Sequence, residues 1–527
     1  MKQLKELKLE DLTIKQKLGM AMIAHCGRDD CDVDYIEELV RERAVGAVWV
    51  MPKNGEYDWV IKRLLEIADY PLLVFTDAEN GLEPYLIGRQ NTIGMANSEE
   101  LAYHFGLVVG KAARARGYNV VCNPMLDLVR VNSTCGSVVR SLGSDKERVA
   151  ALAAAEARGM HDAGVLTIGK HFPGMAKTSE RIDSHMGEAI SFETKEELLD
   201  YNLYPYVKLI EQGLLDGVMM GHNRFVNVDP DYPMSLSPKG IDILRELGFD
   251  GLALTDALCM MGVVAKYGYK NSVGLAVGGG ADLALPFINC NRQAMDWLCA
   301  CYEEGMINED RLNDAVKRVL AAQHKLTLMP KAEPITKEEA ALFARLNTDS
   351  VFAKTDDGVT PSLDKNGKYC FAILTEHEAD LAGGEIGVDT MKNRWYHPDR
   401  IADYLKANFP CSMIKTIGEY PTADRIEKFL RESLGYEVVF ITFFNSQCYI
   451  GSECLTSRII SLMEAMQVSE RISTVVHFGN PFLLEELPHI PRVIVGTISK
   501  AGVRAALDVL CGIARAGGTL TYDIRFQ

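Results

Sequence analysis

Eight short apolar runs, rich in β-branched residues, punctuate the first 330 residues. They are GMAMIAH (19–25), VGAVWVM (45–51), PLLVFTD (71–77), NVVCNP (119–124), LTIGKHF (166–172), GVMMGH (217–222), GLALTD (251–256) and ADLALPF (281–287). They are continuous rather than alternating in polarity, so they read as strands of a parallel sheet covered on both faces. Helical patterns such as DVDYIEELVRER and SEELAYHFGLVVGKAARARG lie between them. Several open on Ser, Thr or Asp and close at Gly. Eight strand–helix units in a stretch of this size predict a (β/α)8 barrel of the TIM type. An open doubly wound sheet is the alternative. Polar groups favour the barrel, because His25, Asp77, Asn123, Lys170, His171, His222 and Asp256 all fall at strand ends. In a barrel those ends open onto one face, where active sites form.

The chain has 527 residues, more than one barrel needs. The pattern predicts a catalytic barrel over 1–330, a linker over 331–345 and a smaller α/β sandwich domain over 346–527. Its strand candidates are KYCFAILT (368–375), YEVVFITFF (436–444), STVVHFGNP (473–481) and RVIVGTIS (492–499). A net charge of −16 argues against nucleic-acid partners and against anionic membrane surfaces. The 13 cysteines are scattered without a CxxC pair, which suits a reducing, cytoplasmic setting. No apolar run is long enough to span a membrane and no signal peptide is recognisable. Nor is there a metal-ligand spacing or a cofactor motif; VGGGAD (277–282) lacks the Lys-Ser/Thr ending of a phosphate loop.

Candidate chemistry concentrates at a few positions. Asp77 and Asp256 each end a strand, where a carboxylate either points into the barrel mouth or caps the next helix. In GKHFPGMAKTSERIDSHMG (169–187), Lys170 and His171 follow an apolar run directly. A buried ammonium is rare unless paired. Asp183 and His185 stand one residue apart on a polar loop. An Asp beside a His can orient the imidazole and favour its protonated form, the logic of an acid/base dyad. A solvated loop pair is the alternative.

In order along residues 10–330, the segments GYNVVCNPMLDL, VVRSLGSD, GKHFPG…DSHMG and TDALCMMG resemble glycoside hydrolase family 3, in particular its β-N-acetylglucosaminidase branch. The resemblance implies Asp256 as nucleophile and His185 as general acid/base, held by Asp183. It also implies Asp77, Arg140, Lys170, His171, Asp127 and His222 as substrate-binding residues. The sequence departs from the family pattern at Met175 and Ala176, where the family has His and Gly. It departs again at AENGLEPYL after Asp77, and in a slightly longer loop from Lys170 to Asp183.

The activity so implied is a retaining, exo-acting β-N-acetylglucosaminidase that releases terminal N-acetylglucosamine from small glycans such as muropeptides or chitin fragments. The partner is the glycan, with water or phosphate as acceptor, and no cofactor or metal is implied. A β-N-acetylglucosaminide phosphorylase, a family 3 β-glucosidase or β-xylosidase, and a non-catalytic sugar-binding relative are the alternatives. No residue with an assigned role lies beyond the linker. The second domain is therefore expected to supply neither nucleophile nor proton donor.

Overall fold

The structure, a computed structural model, describes residues 4–27, 30–131, 133, 138–177, 182–331, 333–359, 361–375, 398–418, 420–444 and 456–526. A seven-stranded parallel sheet runs in chain order. Its strands are β1 (Ile23–Cys26), β2 (Ala47–Val50), β3 (Leu73–Thr76), β4 (Val120–Val121), β5 (Leu166–Phe172), β6 (Gly217–Met220) and β7 (Leu252–Thr255).

The eighth apolar run closes the sheet into a barrel without forming a full strand. Leu283 bridges Leu254 and Ala284 bridges Met22, both in parallel. The Ile23 N–H donates to the Ala284 carbonyl at 2.9 Å, and the Thr255 N–H to the Leu283 carbonyl at 3.1 Å. β1 starts later than the sequence suggests, because residues 19 and 20 end the helix Ile14–Met20. A capping box of Thr13 and Gln16 starts that helix and explains why it takes part of the apolar run.

Every residue of β1, β2, β3, β5, β6 and β7 is buried. This is the packing expected of a sheet with filled lumen and helix-covered outer face. The helices Glu99–Arg116 and Lys146–Asp162 pack closely, with Gly106 and Gly159 at their contact. A Cβ at Gly106 would stand 2.0 Å from the Glu156 carbonyl oxygen. The stretch read as a linker is mostly the helix Lys337–Asp349. Phe343 and Leu346 of this helix are buried in the barrel's own apolar cluster, and the Phe343 ring stacks on Phe105 at 5.9 Å. The connection is thus a packed helix.

The second sheet has six strands: β8 (Phe352–Thr355), β9 (Tyr369–Thr375), β10 (Met413–Gly418), β11 (Glu437–Phe444), β12 (Ile472–Gly479) and β13 (Arg492–Gly496). Their order is β8-β13-β12-β11-β9-β10, parallel except for β8 at one edge. Apolar clusters cover both faces. One of them continues onto the barrel, where Met95, Val129, Val138 and Met175 share it with Phe482, Leu483, Leu484 and Tyr522. Met175, a departure from the family pattern, therefore fills the junction between the two sheets.

Candidate active site

The groups at the C-terminal ends of the barrel strands converge. β5 ends in Lys170, His171 and Phe172, all buried. Lys170 Nζ lies 2.9 Å from Asp77 Oδ1 and 2.8 Å from Glu79 Oε1. Burial alone would lower the pKa of this amine; the two carboxylates outweigh it and hold the ammonium charged. Glu79 also pairs with Arg140, whose Nε donates to Oε2 at 2.9 Å. Burial pushes the Glu79 pKa up, and Arg140 and Lys170 together pull it well below the usual carboxylate range.

His171 is fixed from behind. Asp127 is fully buried and accepts the His171 backbone N–H at 3.0 Å and Nδ1–H at 2.8 Å. With the proton on Nδ1, Nε2 points forward, 3.4 Å from Arg140 Nη2 and 3.7 Å from Asp256 Oδ2.

Asp256 follows β7 directly. Its N–H continues the ladder to the Met220 carbonyl at 3.0 Å, and its Oδ1 accepts the Ala257 N–H at 2.7 Å. This leaves Oδ2 facing His171. Burial would raise its pKa, but His171, His185 and the Ala257 N–H outweigh that and hold the carboxyl far below its ordinary value. The group is an anion at neutral pH.

Asp183 and His185 form one unit. Asp183 Oδ1 accepts the His185 backbone N–H at 3.0 Å and lies 2.7 Å from Nδ1. Nε2 is thereby the nitrogen turned away from Asp183. The Asp183 carbonyl takes the N–H groups of Met186 and Gly187, which tightens the turn. The loop docks onto the helix Met261–Tyr267 just beyond Asp256. The Met261 N–H donates to the His185 carbonyl at 3.1 Å and the Gly262 N–H to the Ser184 carbonyl at 3.2 Å. Past the dyad, Glu188 pairs with Arg224 in two parallel hydrogen bonds. Of the polar loop GMAKTSER, residues 178–181 lie outside the described residues.

Gly262 is what allows this docking. A Cβ there would stand 2.6 Å from the Ser184 carbonyl oxygen and 2.7 Å from that of Gly187. Gly262→Ala should push the dyad loop away while leaving Asp256 in place. We expect turnover of poor leaving groups to fall by about 10- to 100-fold, part of the ~10²–10⁴-fold that general acid help provides. For dinitrophenyl glycosides kcat/KM, which reports the glycosylation step, should stay nearly as before. Steady-state rates across a leaving-group series check this; a uniform loss would mean that the glycine does not act through the loop.

Two residues read as sugar contacts are buried directly behind the groups of the site. His222 is buried beneath the Asp256 turn with both ring nitrogens engaged. Nδ1 accepts the Ser235 hydroxyl at 2.7 Å and Nε2–H donates to the Ala257 carbonyl at 2.9 Å. Burial lowers its pKa below the ordinary imidazole value, so it serves as a neutral brace for the turn. Asp127 has no exposed surface and meets the site through its hydrogen bonds to His171. Conversely, Glu79 was missed. Its signal was the Asp-Ala-Glu spacing at 77–79, within a stretch read only as a departure from the family. Among the described residues, no group of His, Cys, Asp or Glu is arranged to hold a metal ion, and no helix is long and apolar enough to cross a membrane.

The model of the glycosyl hydrolase family 3 N-terminal domain matches residues 12–322. A relative named beta-hexosaminidase from Tolumonas auensis is 32% identical over 279 residues, covering 50% of this chain and 81% of its own. One of the same name from Pseudomonas aeruginosa is 32% identical over 272 residues, covering 49% and 78%. The solved glycoside hydrolase family 3 beta-N-acetylglucosaminidase from Paenibacillus sp. str. FPU-7 superposes with a TM-score of 0.78 at 28% identity, over 98% of this chain and 100% of that one. A beta-glucoside phosphorylase, BglX, superposes with a TM-score of 0.79 at 22% identity, over 98% and 94%, a likeness of fold. The chain belongs to glycosyl hydrolase family 3.

Proposed function

We propose that this protein is a retaining, exo-acting β-N-acetylglucosaminidase that releases terminal N-acetylglucosamine from small glycans of the muropeptide or chitin-fragment kind. The observation that carries the reading is an ionised carboxylate, Asp256, facing a site whose other proton-transfer group is a His held by an Asp. Retention needs a nucleophile on one face of the sugar and a proton donor on the other. Asp256 Oδ2 is the attacking atom; the β-glycosidic C–O bond breaks as the Asp256–C1 bond forms. His185 Nε2–H gives its proton to the departing oxygen. The neutral imidazole then takes a proton from water as that water displaces Asp256 from C1.

Around the ring, Lys170, Arg140, His171 and Asp77 offer a compact set of donors and acceptors for sugar hydroxyls. The buried Glu79 fixes the two cations, so their orientation costs little when the sugar arrives. Relatives named beta-hexosaminidase and the Paenibacillus enzyme support the choice of sugar. A cytoplasmic site of action goes with this reading, since the buried thiols Cys26, Cys122, Cys301, Cys370 and Cys511 suit a reducing compartment.

A panel of chromogenic β-glycosides, assayed with and without phosphate, tests the proposal. N-acetyl-β-glucosaminide should be the best substrate, with β-N-acetylglucosamine as the first product seen by NMR. Preference for β-glucoside or β-xyloside would overturn the sugar assignment. A rate that depends on phosphate, with sugar 1-phosphate as product, would overturn hydrolysis.

A further inference from the structure

The C-terminal tail returns to the barrel and runs beside the segment that carries Arg140. The Thr519 N–H donates to the Met95 carbonyl at 2.8 Å, and the Ser144 N–H donates to the Thr521 carbonyl at 2.9 Å. Thr521 Oγ1 donates to the Leu142 carbonyl at 2.9 Å. A Cβ on Gly143 would stand 2.5 Å from the Thr521 carbonyl oxygen, so the two backbones are in direct contact there.

Next in the tail comes Tyr522, which is buried, its ring edge-on to Phe482 with centroids 5.7 Å apart. Its hydroxyl lies 3.3 Å from the Val138 carbonyl oxygen and 3.1 Å from that of Ser141. These carbonyls flank Arg140 in the short 3-10 turn Val138–Arg140 and the residue after it. The hydroxyl proton is shared between the Ser141 carbonyl and that of Val138, which also takes the Ser141 N–H at 3.2 Å, so the hydroxyl closes the turn at both ends.

On its other side the same segment is tied to the residues behind the site. Ser141 Oγ donates to the Asp127 carbonyl at 2.6 Å and Ser144 Oγ to the Val129 carbonyl at 2.7 Å. The layers therefore run from tail to turn to Arg140, whose guanidinium reaches Glu79 and His171. An arginine side chain is long, and its charged end is placed only as well as its backbone is held.

We infer that Tyr522 is a positioning residue for the sugar subsite: its hydroxyl fixes the turn bearing Arg140, and so the second domain's tail shapes a site to which it contributes no reacting group. The inference rests on the reading of Arg140 as a sugar-binding residue.

The test is Tyr522→Phe in the full-length protein, which keeps the ring and removes the hydroxyl. KM for an aryl N-acetyl-β-glucosaminide should rise about 5- to 10-fold, as the loss of one buried hydrogen bond allows. kcat should stay within about twofold and the pH profile should not move, because the proton-transfer groups are untouched. Arg140→Lys should raise KM by itself. The double variant should be little worse than Arg140→Lys alone, since both changes act on one interaction. Additive effects, or an unchanged KM in Tyr522→Phe, would overturn the inference. Hydrogen exchange needs no activity: amides of 138–144 should exchange faster in Tyr522→Phe, and the barrel strands as before. Unchanged exchange at 138–144 would also overturn it. A wild type that turns over no N-acetyl-β-glucosaminide would overturn the proposed function instead, and exchange would still decide whether Tyr522 holds the turn.

Discussion

Replacing Asp256 by glycine is expected to stop hydrolysis of every glycoside while leaving the protein folded. Loss of a hydrolase nucleophile costs on the order of 10⁶ in kcat, because the covalent bond to C1 can no longer form at that position. Little stability is at stake. The Asp256 side chain keeps one fifth of its surface exposed, and what it holds by hydrogen bonding is the Ala257 N–H. His222 also braces that turn through the Ala257 carbonyl, so the main chain has a second anchor. The vacated space should admit azide, which can attack C1 from the face Asp256 occupied. One displacement inverts the centre, so a β-glycoside should yield the α-glycosyl azide. Wild-type protein should be labelled at Asp256 by a 5-fluoro glycosyl fluoride; the fluorine belongs at C5 because the acetamido group fills C2. Peptide mapping reads the position. A label on another carboxylate would remove Asp256 from this role. Unimpaired turnover in the glycine variant would point to attack by the substrate's own acetamido group.

Much of this geometry could be read from strand ends. A barrel brings all its strand termini to one face, so Asp77, Lys170, His171 and Asp256 were bound to be neighbours once eight units were counted. What could not be read is where a polar side chain turns after the strand stops. His222 ends its run as His171 does, yet it folds inward onto Ser235 and Ala257. Glu79 lies past the end of β3 and is drawn back by two cations from distant parts of the chain, Arg140 and Lys170. Such pairing leaves little mark in local sequence.

Missed elements have similar causes. β8 (FAKT) is a short edge strand, and β10 (MIKTIG) is a mostly half-exposed edge strand, so neither shows a continuous apolar run. The tail at 519–526 has no regular periodicity, because its order comes from contacts with the barrel.

The same contacts revise the division of labour between the two parts. The groups proposed to react, Asp256 and His185, lie in the barrel half of the chain. Yet the helix Lys337–Asp349 fills the barrel's outer layer and the tail grips the Arg140 turn. Cutting the chain near residue 335 would remove both. The buried faces of Phe105 and Val138 would be exposed, at roughly 25 cal/mol for each Å² of apolar surface. A shortened barrel that binds sugar poorly would therefore be no evidence that the second domain supplies a catalytic group.

His185→Ala is expected to separate substrates by their leaving groups. Cleavage of unactivated glycans should slow by about 10²–10⁴-fold, the usual worth of a general acid. Dinitrophenyl glycosides need no proton to depart, so their glycosylation step should be almost unaffected. Their turnover should then be limited by deglycosylation, since His185 also serves as the base for the incoming water. Azide, which needs no base, should restore that step. It attacks the intermediate opposite Asp256, so the product should be the β-glycosyl azide, the reverse of the Asp256→Gly outcome. The two variants together assign the two faces of the sugar. Asp183→Asn should give a milder form of the same pattern: an amide oxygen can still accept the His185 N–H groups that Oδ1 now holds, but the negative charge beside the imidazole is gone. Plots of log kcat/KM against leaving-group pKa for wild type and both variants check this. A steeper slope in His185→Ala, intermediate in Asp183→Asn, is the expected result. Parallel lines, with good and poor leaving groups slowed alike, would make His185 a binding residue and send the search for the proton donor elsewhere in the site.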